Sequence, residues 1–175
     1  MRARAELGNA GHHLPDVLAP DLKVLFCGSA AGTVSARRGA YYAGPGNRFW
    51  PALAEVGLTP RQLAPEEFRS LPDYGLGLTD MAKGYAGGDA GIRRGHDDLA
   101  ALRAKVQHWR PRVLAFVGKR PARALLGRSP DYGRQAETIG TTVIWVLPSP
   151  SGAARRWWSL APWRALADYV ETLPD

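Results

Sequence analysis

Two kinds of apolar segment alternate along the chain. Short continuous apolar runs occur over 22–27 (Leu-Lys-Val-Leu-Phe-Cys), 113–117 (Val-Leu-Ala-Phe-Val) and 141–147 (Thr-Thr-Val-Ile-Trp-Val-Leu), with a shorter one at Gly77-Leu-Thr79 leading into Asp80. Runs of this length read as strands buried on both faces. Between them lie segments of helical character. Residues 97–109 place Leu99, Leu102 and Val106 on one face before Pro111 stops the helix. A helix is predicted over 48–55, entered through Asn47, a favourable N-cap type. Another is predicted over 65–70, with Pro65 early and Glu66-Glu67 in its first turn. Two more fall over 121–126 and 163–172. Strands alternating with helices predict an α/β fold, three layers deep, with a mostly parallel central sheet and helices on both faces. No repeat or low-complexity tract interrupts the pattern. Residues 1–15 carry Arg, Glu and two His but no apolar core of a secretory signal, so they are expected to be a disordered lead into a single domain over 16–175.

In sheets of this kind ligands bind beyond the carboxyl ends of the strands. Gly28–Gly32, Thr79–Lys83 and Pro148–Arg156 all fall at such ends and are expected to surround one pocket. Gly28-Ser-Ala-Ala-Gly32 lacks the Lys of a Walker-type phosphate loop, and its glycine spacing is wrong for a dinucleotide fingerprint. What remains is a turn whose small residues let backbone N–H groups approach a ligand, or a tight turn with none. Tyr41 and Tyr42 follow among glycines. One is expected to pack on the loop and the other to offer a face for a planar ring. The glycine cluster over 84–95 is expected to form a mobile loop beside the site.

Charge narrows the partner. Lys and Arg exceed Asp and Glu to give a formal charge of +7, and Arg occurs in pairs at 37–38, 93–94 and 155–156. Such a balance favours an anionic partner, with nucleic acid first. No run of 18 apolar residues exists, so no membrane span is expected. The single Cys27 excludes an internal disulfide and reads as a buried thiol. His12, His13, His96 and His108 show no metal-ligand spacing, and neither a metal nor another cofactor is expected.

Two further segments sharpen the picture. The apolar run into Gly28 is followed by Gly44-Pro-Gly-Asn-Arg-Phe-Trp50, and the strand at 145 continues as Trp145-Val-Leu-Pro-Ser-Pro-Ser-Gly-Ala-Ala-Arg155. Together these resemble the mismatch-specific uracil/thymine DNA glycosylases of the uracil-DNA glycosylase superfamily. Those enzymes pair a Gly-Ile-Asn-Pro-Gly-type motif and an Asn-Arg-Phe-Trp loop with a second motif of the type Asn-Pro-Ser-Gly-Leu-Ser-Arg. The resemblance covers about residues 16 to 170. It implies a base pocket formed by Gly28, Ser29, Ala30, Tyr42 and Asn47, with Tyr42 stacking on the base. It implies a DNA-contacting loop formed by Ser149, Pro150, Ser151, Gly152, Ala153, Arg155 and Arg156.

This chain departs from the family at two positions. Ala30 stands where the family carries its catalytic Asn, and a methyl group cannot position water. Ala153 stands where a bulky Leu fills the space left by an extruded base, so Arg155, Arg156 or Trp157 would have to substitute. If the chain is active, another group must act on water or on the sugar cation. Asp80 is the expected catalytic residue, because a carboxylate can orient or deprotonate water and stabilise an oxocarbenium-like sugar; the alternative for Asp80 is a turn cap. Asp89 is the second choice.

The expected function is that of a monofunctional glycosylase. It would flip uracil, thymine or another damaged base from mismatched duplex DNA and hydrolyse the N-glycosidic bond, without cofactor, as a cytoplasmic, nucleoid-associated monomer. Lys83 and Lys119 keep a Schiff-base lyase in view. The alternatives are a non-catalytic binder of lesions or abasic sites, which Ala30 favours, and a hydrolase of free nucleosides.

Overall fold

Continuous apolar runs become the interior strands of one sheet. The computed structural model describes residues 14–87, 91–92 and 97–175. Strands β1 (Val24–Gly28), β2 (Leu76–Asp80), β3 (Val113–Val117), β4 (Gly133–Ile139) and β5 (Thr142–Leu147) form a five-stranded sheet in the order β2-β1-β3-β5-β4. β1, β2, β3 and β5 run parallel; β4 pairs with β5 antiparallel at the edge. Every residue of β1, β2, β3 and β5 is buried, as strands covered on both faces require.

The pleat sorts these residues onto two cores. Val24, Phe26, Leu78, Ala115 and Trp145 face one side. There they meet the short helix α1 (Thr33–Arg38), α2 (Phe49–Glu55), a 3-10 segment (Pro65–Tyr74) and the closing helix α5 (Ala161–Glu171). Leu25, Cys27, Leu114, Phe116 and Val146 face the other side, under α3 (Leu99–Trp109) and α4 (Lys119–Leu126). The three-layer architecture expected from the alternating pattern is the one observed. Cys27 is buried there, and burial pushes its thiol far above the ordinary range.

Several boundaries moved for local reasons. The helix expected from 97 begins at Leu99, because the Asp98 carboxylate accepts the Ala101 N–H at 2.9 Å as N-cap. The segment over 65–74 is 3-10 rather than α, and it contains Pro72. β4 gave no apolar run, since its burial alternates and its buried Gln135 bonds to the carbonyls of Asp131 and Gly133. Leu14 is buried in the core, and Val17 forms a two-bond antiparallel bridge with Leu78, so the chain is engaged ahead of residue 16. Among the described residues no helix is long and apolar enough to cross a membrane. Expectations for Asp89, Arg93-Arg94, His12, His13 and His96, and for part of the 84–95 loop, lie outside the described residues.

Candidate active site

The strand order sets where a cavity can form. The chain leaves β1 to build β2 on one side and β3 on the other, so helices diverge beyond the ends of β1 and β3. A cavity of about 500 Å³ opens there, lined by Gly28–Ser35, Tyr41, Tyr42, Asn47, Asp80, Val117, Ser149–Ala154 and Trp157 among others. The three strand-end segments singled out in the sequence therefore converge on one space.

Gly28 and Asp80 define its floor. They are register partners at the ends of β1 and β2. A Cβ on Gly28 would lie 2.8 Å from Asp80 Oδ1 and 3.0 Å from Tyr42 Oη, so only glycine lets these two polar groups converge. The backbone holds the arrangement beyond the strands. Met81 N–H donates to the Gly28 carbonyl at 2.8 Å, and Ala82 N–H donates to the Ser29 carbonyl at 2.7 Å. Asp80 is buried, and burial pushes its carboxyl above the usual aspartate range, with Lys83 pulling it back down and Asp16 adding to the rise. Its Oδ2 stands 3.8 Å from Lys83 Nζ.

Tyr41 and Tyr42 take opposite roles. Tyr41 is buried; its hydroxyl donates to the Pro15 carbonyl at 2.9 Å and accepts from Lys83 at 2.7 Å. Tyr42 stacks on Phe49 with ring centroids 4.0 Å apart and lines the cavity. Its backbone is left-handed at φ 53°, a conformation that persists only where surroundings impose it. Those surroundings are specific. Ala43 N–H donates to Ser35 Oγ at 2.9 Å, Arg38 donates to the Ala43 carbonyl, and Trp50 Nε1 donates to the Tyr41 carbonyl at 3.0 Å. Among the described residues the buried Tyr42 hydroxyl has no hydrogen-bond partner. Burial first, and the Asp80 carboxyl second, raise the phenol well above its ordinary range and keep it neutral.

The Asn-Arg-Phe-Trp run thus works largely as scaffold. The helix expected from 48 through an Asn47 cap begins instead at Phe49, with Arg48 as N-cap; Asn47 Oδ1 accepts the Phe49 N–H at 3.0 Å in the turn just ahead of it, while the residue still lines the cavity. Phe49 supports Tyr42, Trp50 anchors Tyr41, and Arg48 N–H donates to the Pro150 carbonyl at 2.9 Å. That last bond joins the two motif loops. They approach so closely that a Cβ on Gly152 would lie 2.7 Å from the Pro45 carbonyl oxygen.

The far wall is a lip. Ser149, Ser151 and Gly152 are half-buried, Pro150 is buried, and Ala153, Arg155 and Arg156 are exposed. A 3-10 turn (Gly152–Trp157) carries them, with Ser151 Oγ accepting the Ala153 N–H at 3.3 Å. The two adjacent tryptophans divide. Trp158 packs on Trp163, with Arg48 over its ring, whereas Trp157 is 63% exposed at the cavity mouth beneath Arg156.

The chain matches the family model of the uracil DNA glycosylase superfamily over residues 15–172. It belongs to the uracil DNA glycosylase superfamily. It is also similar to a solution NMR structure of a Methanosarcina acetivorans protein assigned provisionally as a uracil DNA glycosylase. That match has a TM-score of 0.61 and 25% identity, covering 90% of this chain and 96% of the other. The sequence did not point to Asp16 or Lys105, which join Lys83 beside Asp80; they lie far apart in the chain and carry no local motif.

Proposed function

We propose that this superfamily member is a monofunctional DNA N-glycosylase that removes uracil, and other bases of similar shape, from mismatched or damaged positions in duplex DNA. The observation that carries the reading is the convergence of the Asp80 carboxylate and the Tyr42 ring on Gly28 at the floor of the cavity. The lip supplies the grip. Arg155 and Arg156 are exposed and cationic, suited to phosphates, and Trp157 presents an apolar face for stacking where Ala153 is too small to occupy a vacated position. A mismatched base costs less to extrude, which favours such sites before any base contact forms.

In this mechanism the base stacks on Tyr42, and the turn at Gly28–Gly32 meets its carbonyl groups. Asp80 takes the part that Ala30 cannot. It orients or deprotonates the attacking water and stabilises the developing sugar cation, and the base leaves as its glycosidic bond to C1′ breaks. Water is the nucleophile rather than lysine. Lys83 Nζ lies 2.8 Å from Asp16 Oδ1, 2.7 Å from Tyr41 Oη and 3.1 Å from the Leu14 carbonyl, so the ammonium is already engaged. Lys119 sits over the Tyr132 ring, away from the cavity lining.

The second reading, a non-catalytic binder of lesions or abasic sites, is favoured by Ala30. One experiment decides between them. Duplexes carrying uracil, thymine, hypoxanthine, xanthine or an ethenobase in defined mismatches are incubated with excess protein, and released free base is measured. Release from at least one uracil duplex, and none from free nucleoside, is expected. Tight binding with no release from any lesion selects the binder.

A further inference from the structure

Beside the cavity floor lies a small half-buried cluster of charges that the reaction itself does not require. Asp16 belongs to the segment ahead of β1 that the Val17–Leu78 bridge fastens along β2. From that sheet edge its carboxylate reaches groups on both faces. Oδ1 accepts from Thr79 Oγ1 at 2.7 Å and meets Lys83 Nζ at 2.8 Å; Oδ2 meets Lys105 Nζ, from α3, at 2.7 Å. Lys83 is 10% exposed, and among the described residues its Nζ has three oxygen neighbours at hydrogen-bond distance: Asp16, Tyr41 and the Leu14 carbonyl. All three lie nearer than Asp80, whose Oδ2 stands 3.8 Å away.

We propose that Asp16 is a positioning residue for Asp80, holding Lys83 and Lys105 in ion pairs so that neither closes onto the Asp80 carboxylate. The proposal rests on the reading of Asp80 as the group that acts on water or sugar. Among the described residues, Asp80 is faced by Lys83 from the turn after β2, Asp16 from the segment before β1, and Lys105 from α3. Tyr41, Tyr42 and Cys27 face it from the loop after α1 and from β1. The last three are neutral. The charged members are two acids and two bases, which balance. Removing the Asp16 charge leaves two ammonium groups facing one carboxylate. A neutral side chain at position 16 holds Lys83 less tightly, and Lys83 needs to move only about an ångström to bind Asp80, a distance that separates a loose from a hydrogen-bonded pair. A carboxylate pinned in this way is a weaker base and is turned away from the cavity.

Opposite shifts are expected when the two partners are replaced. Asp16→Asn removes a negative charge and lets Lys83 close, so Asp80 should titrate at lower pH. Lys83→Met removes the cation, so Asp80 should titrate at higher pH. In the double variant the two changes oppose each other, and the midpoint should lie between those of the single variants.

The measurement is a carbon-13 NMR titration of the Asp80 carboxyl in the full chain, with the resonance assigned by its loss in Asp80→Asn. The single-turnover excision profile should move the same way at its acid limb. An Asp80 midpoint that stays put in Asp16→Asn, or moves in the same direction in both single variants, overturns the proposal. If Asp16→Asn does not fold, the charge-balanced double variant is compared with Lys83→Met. Removal of Asp16 must still lower the midpoint, because Lys105 is released, and an unchanged value overturns the proposal equally. A wild-type protein that releases no base from any duplex would refute the glycosylase reading. The NMR titration would still judge the arrangement of Asp16, Lys83 and Asp80.

Discussion

The floor of the cavity and its lip place polar groups in opposite circumstances. On the floor, Asp80 at the end of β2 and the Tyr42 hydroxyl beside it are withdrawn from water, among neighbours held by a parallel ladder and a bond network. On the lip, Arg155, Arg156 and Trp157 stand exposed on a 3-10 turn that buries none of its own residues. Burial is costly for a carboxylate, and the upward push on Asp80 is the signature of that cost. Exposure is cheap, but it leaves charges screened by salt. The difference separates chemistry, which needs a desolvated and fixed group, from grip, which needs reach and positive charge. Floor variants should therefore lower the excision rate with little effect on product binding, and lip variants should do the reverse.

The largest effect is expected for Asp80→Ala. Losing an acid–base group typically costs about 10²–10⁴-fold in rate, while affinity for a duplex with an abasic site should hold. Loss of both rate and affinity would show that Asp80 supports the fold rather than the reaction.

Gly28→Ala comes next. Its new methyl would lie 2.8 Å from Asp80 Oδ1 and 3.0 Å from Tyr42 Oη, so one or both must move. Misplacement of about 1 Å at a reacting centre can cost roughly 10²-fold. Near-normal single-turnover excision would mean that the floor is looser than its packing implies.

Tyr42→Ala removes the stacking face. Base–aromatic stacking is worth about 1–3 kcal/mol, so excision should fall roughly 5- to 150-fold with abasic-site binding nearly unchanged. The loss should be recovered largely by Tyr42→Phe, since the hydroxyl has no hydrogen-bond partner among the described residues. A Phe variant as damaged as Ala would assign the function to the hydroxyl instead.

The smallest effects on rate belong to the lip. Replacing Arg155 and Arg156 together by Ala should flatten the dependence of log K on log salt by roughly 1.8, about 0.9 for each lost phosphate contact. Excision at saturating DNA should change little. Trp157→Ala should weaken duplex binding by about 1–3 kcal/mol if its exposed ring stacks on DNA. An unaltered salt slope in the double Arg variant would remove the lip from the DNA interface.

Much of this division was legible in the sequence. The strands of the sheet interior appear as apolar runs because both faces are covered, and the strand ends could be marked because Gly28 and Asp80 terminate such runs. The edge strand β4 could not be seen, since half its residues face solvent and its only large apolar residue is Ile139. The roles within Asn-Arg-Phe-Trp were also hidden. Nothing local says that Phe49 lies under Tyr42 or that Asn47 Oδ1 accepts the Phe49 N–H in the turn ahead of α2 while Arg48 takes the N-cap position. Asp16 was passed over because its partners are long-range. Trp157 and Trp158 are the same residue type in adjacent positions, and only the packing of Trp163 against one of them tells them apart.

The central claim is that a buried carboxylate does the work for which Ala30 has no group. Its most direct test is single-turnover excision across pH by the wild-type protein and by Asp80→Asn. Asp80 is expected to act ionised, and burial raises its folded-state pKa. Wild-type activity should therefore fall as the pH drops through that raised value. Asp80→Asn should be slower at neutral pH and should lose this acid limb. The same substitution should raise thermal stability at neutral pH, because a carboxyl with a raised folded-state pKa stabilises the fold only while protonated, at low pH. An Asp80→Asn protein that keeps the wild-type rate and the wild-type acid limb would contradict the account.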